Sequence, residues 1–284
     1  MKSELVLNIE SIKNLIKEYL KEFIEWRRFL HSKPETAFEE YETSKFVKEK
    51  LLEFGIEVES NWAKTGIVGK LVSQQKNSKE RKNLGFRAEL DALPIQEENQ
   101  FSYKSMYQNK MHACGHDGHI TGLLGAAKIL SILNKIQEIP NNVFFIFQPA
   151  EENEGGAKKM IEEGFLKKYK LDSIYSIHNW PELPQGIFGL KSGPIMAAYD
   201  SFIIKITAKG THAAMPHQGV DVIFITSLII QNVYSSLSRT NPTKNKVISF
   251  TSIHTGTTFN VLPDSVEIKG TLRTFDMITR KEIL

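Results

Sequence analysis

One short stretch of the chain, HACGHDGH at 112–119, concentrates side chains that bind metals. It holds three histidines and the only cysteine of the protein. Imidazole and thiolate are ligands that zinc and related transition metals prefer. A structural zinc site usually needs two or more cysteines, so a self-contained zinc knot is disfavoured. Two interpretations remain open: part of a catalytic metal site, or a structural turn around a small buried thiol.

Further reactive side chains lie at the ends of three segments with strand composition. The segments are LGFRAEL (84–90), NVFFIFQ (142–148) and SIYSIHN (173–179). The side chains at or just beyond their ends are Glu89, Asp91, Glu151, Glu152 and His178. Ligands of α/β sheets bind beyond the carboxyl ends of the strands. We therefore expect these groups and 112–119 to meet at one sheet edge.

The adjacent acids Glu151 and Glu152 can divide two tasks in such a site. One carboxylate binds the metal, and the other serves as a general base toward the attacking water. Taken singly, each residue also has an ordinary explanation. Paired glutamates are usually solvated, and a lone histidine is usually structural.

The order of elements over 1–184 predicts an α/β catalytic domain, whose mixed, mostly parallel sheet is flanked by helices. Apolar spacing predicts helices over 8–31, 40–54, 118–133 and 155–169, with Asp117 as the N-cap of the third. The polar segment 74–83 is typical of an exposed turn.

Over 185–284 the pattern changes to that of a small α+β domain. Strands are predicted at 185–191, 201–210, 247–254 and 264–275, with a helix at 219–238. The turn KGTHAAMPHQG leaves His212 approachable beside two alanines. Asn260 and Arg273 are polar residues in strand-rich surroundings, where turn chemistry and a solvated strand face are the ordinary explanations.

Bulk composition excludes several classes of protein. The 36 Lys and Arg nearly balance 33 Asp and Glu, for a net charge of +3, so neither nucleic-acid nor membrane binding is indicated. One cysteine forms no internal disulfide, which favours a reducing, cytoplasmic location. The residues alone thus indicate a metal-dependent hydrolase with a two-domain cleft.

Seven motifs, in this order, resemble the metallo-amidohydrolases of the aminoacylase and carboxypeptidase class. They are RRFLHSKPETAFEE, HACGHDGH, FQPAEE, IHNWP, KGTHAAMPH, NVLPD and GTLRTFD. The nearest branch contains N-acyl-amino-acid amidohydrolases, hippurate hydrolase and indole-acetyl-amino-acid hydrolases. The resemblance implies an inserted lid or dimerisation domain after about residue 185, a homodimer, and a divalent ion (manganese, zinc or cobalt). It also implies N-acyl amino acids as substrates.

The resemblance further implies a role for each matching residue. The implied metal ligands are Cys114, His116, Glu152 and His178. Glu151 is implied as the general base and His212 as the group that stabilises the oxyanion. Asn260 and Arg273 are implied to hold the substrate, and Asp91 to orient a ligand. His112 and His119 are left with supporting roles.

The sequence departs from this family pattern in two places. Glu89 stands where the branch usually has aspartate, and the chain ends at DMITRKEIL, inside the lid module. The family continues to a further metal-binding histidine, so a fragment or truncated product with an incomplete ligand set is expected. Alternatives are a dipeptidase, an N-acetyl-diaminopimelate-type deacetylase, or a non-catalytic remnant that binds metal or dimerises.

Overall fold

The computed structural model describes residues 9–73, 81–152 and 154–284. The chain divides into two compact units, Met1–Glu182 and Leu183–Leu284. The turn predicted over 74–83 lies mostly outside the described residues. No helix in the described part of the chain is both long enough and apolar enough to cross a membrane.

The first unit alternates helices and strands. Its helices are α1 (Ile9–Ser32), α2 (Tyr41–Glu53), α3 (His116–Ile136), α4 (Gly156–Glu162) and α5 (Phe165–Tyr169). Its strands are β1 (Glu57–Trp62), β2 (Gly66–Leu71), β3 (Asn83–Glu89), β4 (Asn142–Gln148) and β5 (Ser173–Ser176). The helix predicted over 155–169 is wrong in one respect. Gly164 takes a left-handed φ of 94° and separates α4 from α5.

The five strands form one mixed sheet in the order β1-β2-β4-β3-β5. The β3–β4 and β3–β5 pairs are parallel, whereas β1–β2 and β2–β4 are antiparallel. The prediction of a mixed sheet flanked by helices is confirmed, but "mostly parallel" is wrong. The connection between β1 and β2 is too short for the crossover that parallel pairing requires.

β4 shows why this sheet is covered on both faces. Phe145 and Phe147 are fully buried in the main core, which includes residues of α1, α2 and α3. Phe144 and Ile146, which alternate with them, are buried with Met160 and other residues of a second core. Successive side chains of a strand point to opposite faces, so the apolar run NVFFIFQ supplies both cores.

An ion-pair network at the sheet edge gives a test of stability. Glu59 of β1 contacts Lys70, Lys168 (2.6 Å) and the Tyr169 hydroxyl (2.5 Å). Burial raises the pKa of Glu59, but hydrogen bonds from Lys168, Lys70 and Tyr169 outweigh it and lower the pKa to about 2. The stabilisation is therefore complete above the unfolded pKa of 4.5 and is lost as pH falls toward 2.

We expect Glu59→Gln to lower the free energy of unfolding at pH 7 by about 1 to 2 kcal/mol after solvent screening. The difference from the wild type should shrink as pH falls from 4.5 toward 2. Urea unfolding at several pH values measures it, and Glu57→Gln is the control because that carboxylate is 66% exposed. An equal loss in both variants, or a loss independent of pH, would contradict the prediction.

The second unit is an antiparallel sheet with helices. Its regular elements are β6 (Ala198–Thr207), β7 (Thr211–His212), α6 (Val222–Leu237), β8 (Lys246–His254), β9 (Val261–Leu262), β10 (Ser265–Thr274) and α7 (Met277–Ile283). The main sheet has the order β6-β10-β8, and β7 pairs with β9. The strand predicted at 185–191 is wrong, since these residues form turns and irregular chain. α6 begins at Val222 because the Asp221 carboxylate caps it by accepting from Ile223 N and Phe224 N.

Candidate metal centre

The turn before α3 places His116 at the first position of that helix. Gly115 has a left-handed φ of 93°, and a Cβ there would lie 2.4 Å from Asn179 Oδ1. Only glycine accommodates both the dihedral and this close approach. The predicted N-cap role of Asp117 is wrong, because α3 begins at His116 with Gly115 as its N-cap, and Asp117 is a fully buried residue of the first turn.

His116 holds one ring nitrogen ready for a ligand. Its Nδ1 donates to the backbone oxygen of Asp91 at 2.7 Å, which leaves Nε2 as the unprotonated nitrogen of the neutral ring. Nε2 is buried and has no hydrogen-bond partner among the described residues. Glu152 Oε1 faces it at 3.8 Å and is equally buried and unpartnered there. A cation between these two atoms would satisfy both.

Cys114 and His178 approach each other beside His116. Cys114 Sγ lies 3.4 Å from His178 Nε2, and the other ring nitrogen of His178 donates to Asn179 O at 2.8 Å. Metal-binding histidines commonly donate their second N–H to such a carbonyl. Cys114 is a free thiol. The strand SIYSIHN is shorter than predicted, so His178 lies two residues beyond β5 rather than at its tip.

The loop after β4 gives the two adjacent acids different surroundings. Glu152 N donates to Asp91 Oδ2 at 3.0 Å, and the Glu152 carboxylate turns toward His116. Glu151 is exposed. Partial burial and the neighbouring Glu152 carboxylate raise the pKa of Glu151. Both carboxylates therefore lie near His116, but Glu152 faces its buried Nε2 whereas Glu151 is exposed.

Gly156 closes this loop and provides a second test. Its N–H donates to Ala150 O at 2.9 Å, and a Cβ there would lie 1.8 Å from Pro149 O. We expect Gly156→Ala to displace the loop and to lower kcat at least about tenfold for the amide hydrolysis that the sequence predicts. Gly155→Asn is the matched control, because no heavy atom of the described residues lies within 4 Å of a Cβ there and asparagine tolerates its φ of 67°. Steady-state kinetics with thermal unfolding compares them; equal kcat in both would refute the steric argument.

The donor set fits a divalent metal ion. Among the described residues, three groups of side chains each offer ligand atoms within 4.8 Å of one another, and His116 belongs to all three. The groups are Cys114–His116–His178, Glu89–His116–His119 and His116–Glu151–Glu152. Burial lowers the pKa of His116, but Asp91, Cys114 and the charge of Glu89 raise it to about 11, so a metal ion that binds Nε2 must displace a proton from it. The anionic surroundings thus favour a cation at this point, and thiolate, imidazole and carboxylate together suit a transition metal.

A hydrogen-bonded chain that the residue types alone did not reveal supports this cluster. Glu89 accepts from Arg87 Nη1 at 2.6 Å and contacts His119 Nδ1 at 2.8 Å. His119 Nε2 in turn accepts from Asn179 N at 3.0 Å. Burial raises the pKa of Glu89, but the His119 hydrogen bond and the Arg87 charge lower it to about 2. His119 thus links Glu89 to Asn179, which is a physical form for its predicted supporting role. Asn179 was not singled out by sequence reasoning, although this polar residue directly follows His178.

A second network, buried except for Arg27, involves Asp117 in the first turn of α3. Asp117 Oδ2 accepts from Arg27 Nε at 3.0 Å and contacts His31 Nδ1 at 2.9 Å. His31 Nε2 contacts Glu97 Oε1 at 3.1 Å, and the Asp117 hydrogen bond raises the pKa of His31 despite burial. Sequence reasoning missed this network, although RRFLHSKPE carries two of its members. His112 is buried, and burial lowers its pKa to about 4.

The other predicted site residues belong to the second unit. His212 lies in β7 opposite Val261, and its Nδ1 accepts from Ala214 N at 3.1 Å. Asn260 O accepts from Ala213 N at 2.9 Å, so His212 and Asn260 are neighbours. Arg273 is exposed on β10, with its guanidinium 4.3 Å from the centre of the Tyr199 ring.

Comparison with known families decides the class of this cluster. The model of peptidase family M20/M25/M40 matches residues 85–276, a range that contains the whole ligand cluster. The chain belongs to this family. The N-acyl-L-amino acid amidohydrolase of Geobacillus stearothermophilus is 43% identical over 276 residues, which cover 96% of this chain and 72% of that protein. The hippurate hydrolase of Campylobacter jejuni is 42% identical over 272 residues, covering 94% and 69%.

Solved structures agree with this assignment. A dinuclear metal-binding peptidase of family M20 from Bacillus subtilis has a TM-score of 0.73 at 36% identity, covering 94% of this chain and 67% of its own. A protein assigned as an aminohydrolase from methicillin-resistant Staphylococcus aureus has a TM-score of 0.87 at 34% identity, covering 98% and 72%. The predicted family resemblance is therefore confirmed.

Proposed function

We propose that this member of the M20/M25/M40 family is a metal-dependent amidohydrolase that cleaves N-acyl amino acids to a carboxylate and a free amino acid. One observation carries the proposal: His116 Nε2 and Glu152 Oε1 are buried, face each other at 3.8 Å and have no hydrogen-bond partner in the described chain. The accessible acid beside them is Glu151. Relatives named for hydrolysis of acyl amino acids support the same reaction.

We assign the metal ligands to Cys114, His116, Glu152 and His178. A manganese, zinc or cobalt ion held by these residues would supply Lewis acidity to the scissile carbonyl and to the attacking water. His116 and His178 present Nε2 because a backbone carbonyl takes each Nδ1–H. Asp91 fixes the arrangement, since its backbone oxygen holds His116 and its carboxylate holds Glu152 N.

Glu151 acts as the general base in this proposal. Its carboxylate takes a proton from the attacking water as the oxygen adds to the amide carbon. It then gives that proton to the leaving nitrogen as the C–N bond breaks. The raised pKa of Glu151 favours both halves of this transfer, because a base works best when its pKa approaches the working pH.

We propose that the second unit is the lid and dimerisation domain. The neutral His212 ring carries its proton on Nε2, because Nδ1 accepts from Ala214 N, and this N–H stabilises the developing oxyanion. Asn260 and Arg273 hold the polar groups of the substrate, and the exposed Arg273 guanidinium suits a carboxylate.

An exposed apolar face on α6 supports a homodimer; it is formed by Ile223, Phe224 and Leu228. The single cysteine, a free thiol, supports a cytoplasmic location.

The test combines metal analysis with a panel of substrates. The 284-residue chain is freed of metal, reloaded with manganese, zinc or cobalt, and assayed on hippurate, N-acetyl amino acids and dipeptides. Hydrolysis of acyl amino acids that disappears with chelation and returns with metal is expected. Cleavage of dipeptides alone would favour a dipeptidase, and stoichiometric metal binding without turnover would favour a non-catalytic protein.

A further inference from the structure

A fully buried acid lies outside the ligand cluster. Glu40, just before α2, is 0% exposed. Burial raises the pKa of its carboxyl. Burying a carboxyl group costs free energy unless specific partners compensate for the lost water. The partners of Glu40 therefore indicate what the residue does.

Glu40 does not serve its own helix. It occupies the N-cap position of α2, yet its side chain makes no capping hydrogen bond. Glu35 accepts from Glu42 N and Thr43 N in its place, at 3.0 and 2.8 Å. The capping task is thus met by another acid, which leaves the Glu40 carboxylate for a distant contact.

That distant contact is with the residue before the two catalytic-site acids. Glu40 Oε1 accepts from Ala150 N at 2.8 Å, and Oε2 accepts from Thr65 Oγ1 at 2.6 Å. Thr65 precedes β2, and its hydroxyl keeps the carboxylate from rotating away. The bond spans 110 residues of sequence and joins α2 to the end of β4.

Ala150 needs this support because its backbone is strained. Its φ is 52°, in the left-handed region that residues with a Cβ rarely adopt, and it is fully buried. Such a conformation is unfavourable for a residue with a Cβ and persists only where neighbours enforce it. Glu40 holds the Ala150 N–H, and Gly156 N holds the Ala150 oxygen at 2.9 Å. The direction in which Glu151 and Glu152 leave the strand follows from this one turn.

We propose that Glu40 is a positioning residue, which sets the orientation of Glu151 and Glu152 by holding Ala150 in its left-handed conformation. The inference rests on the proposed roles of those two acids. Glu40 acts through an acceptor atom rather than through charge. A neutral side chain with an oxygen in the same place should therefore replace it.

The matched pair is Glu40→Met and Glu40→Gln. Methionine has a similar length and no oxygen for Ala150 N, whereas glutamine keeps that acceptor and can place its amide against the Thr65 hydroxyl.

For Glu40→Met we expect amide hydrogen exchange in the segment 149–156 to accelerate about tenfold or more, while the rest of the first unit is unchanged. Affinity for Zn²⁺ or Mn²⁺ by calorimetry should weaken about tenfold. In the metal-loaded enzyme kcat should fall about 10- to 100-fold with KM nearly constant. Glu40→Gln should match the wild type in all three measurements.

Three results would overturn the proposal. They are unchanged exchange over 149–156 in Glu40→Met, acceleration spread evenly over the first unit, or a Glu40→Gln variant that behaves like Glu40→Met. If Glu40→Met does not fold, Glu40→Asp repeats the test, because the shorter acid cannot reach both Thr65 and Ala150. Hydrogen exchange and metal affinity do not require turnover. A wild-type protein without hydrolase activity would therefore refute the proposed function, whereas hydrogen exchange and metal affinity would still test the positioning role of Glu40.

Discussion

Glu151→Gln is expected to reduce kcat on acyl amino acids by about 100- to 10,000-fold, the usual contribution of a general base. Glutamine has nearly the same shape but takes no proton from water. The metal content should stay at the wild-type value, because the Glu151 side chain is exposed while Glu152 faces His116. Steady-state kinetics and elemental analysis of the same preparation measure the two quantities.

Glu154→Gln is the matched control, since this exposed acid lies in the same loop and has no role in the proposed reaction. It should retain wild-type kcat. Activity near the wild-type value in Glu151→Gln would remove Glu151 from the role of base. Loss of metal in that variant would instead make Glu151 a ligand, which is the alternative that its place in the His116–Glu151–Glu152 group allows.

His116→Asn is expected to weaken metal binding more than any other single substitution. His116 belongs to all three groups of candidate ligand atoms. The amide nitrogen of asparagine can replace Nδ1 as the donor to Asp91 O, but nothing replaces Nε2. We expect metal affinity to fall by more than about 100-fold, with turnover lost in parallel. Calorimetry with Zn²⁺ and Mn²⁺, combined with thermal unfolding, measures affinity and fold separately.

His217→Asn serves as the control, because His217 is an exposed histidine of the second unit and belongs to none of the three groups. Its metal affinity should equal that of the wild type. A His116→Asn protein that is folded and binds metal normally would exclude His116 as a ligand. The three groups of candidate ligands would then lose the histidine that they share.

Local pattern predicted most of the elements of both units. The apolar spacing of α1 and the apolar run of β4 identify helix and strand directly, because each pattern matches the period of its backbone. The break between α4 and α5 at Gly164 and the irregular chain over 185–191 were missed. In both, the local pattern is that of a regular element. The positive φ of Gly164 interrupts the helix, and residues 185–191 form an exposed turn and irregular chain.

The antiparallel half of the first sheet shows a different limit. Which strands pair, and in which direction, depends on contacts between segments far apart in sequence. The short β1–β2 connection indicates a hairpin, but that β2 then pairs with β4, whose residues lie 72 to 80 positions further along the chain, does not follow from either segment alone. Strand order is a property of the assembled core.

The sequence by itself determined the chemistry of this protein: the thiol, imidazole and carboxylate types, and the family that their motifs identify. Tertiary structure decided which atoms face each other. It directed Glu152 rather than Glu151 toward His116, turned the Nδ1 atoms of His116 and His178 to backbone carbonyls, and removed Asp117 from the helix cap into a buried network. The physical reason is that side-chain type is a local property, whereas these orientations, apart from the local His178–Asn179 bond, depend on hydrogen bonds between residues 25 to 110 positions apart. Those bonds exist only after the strands and helices have packed.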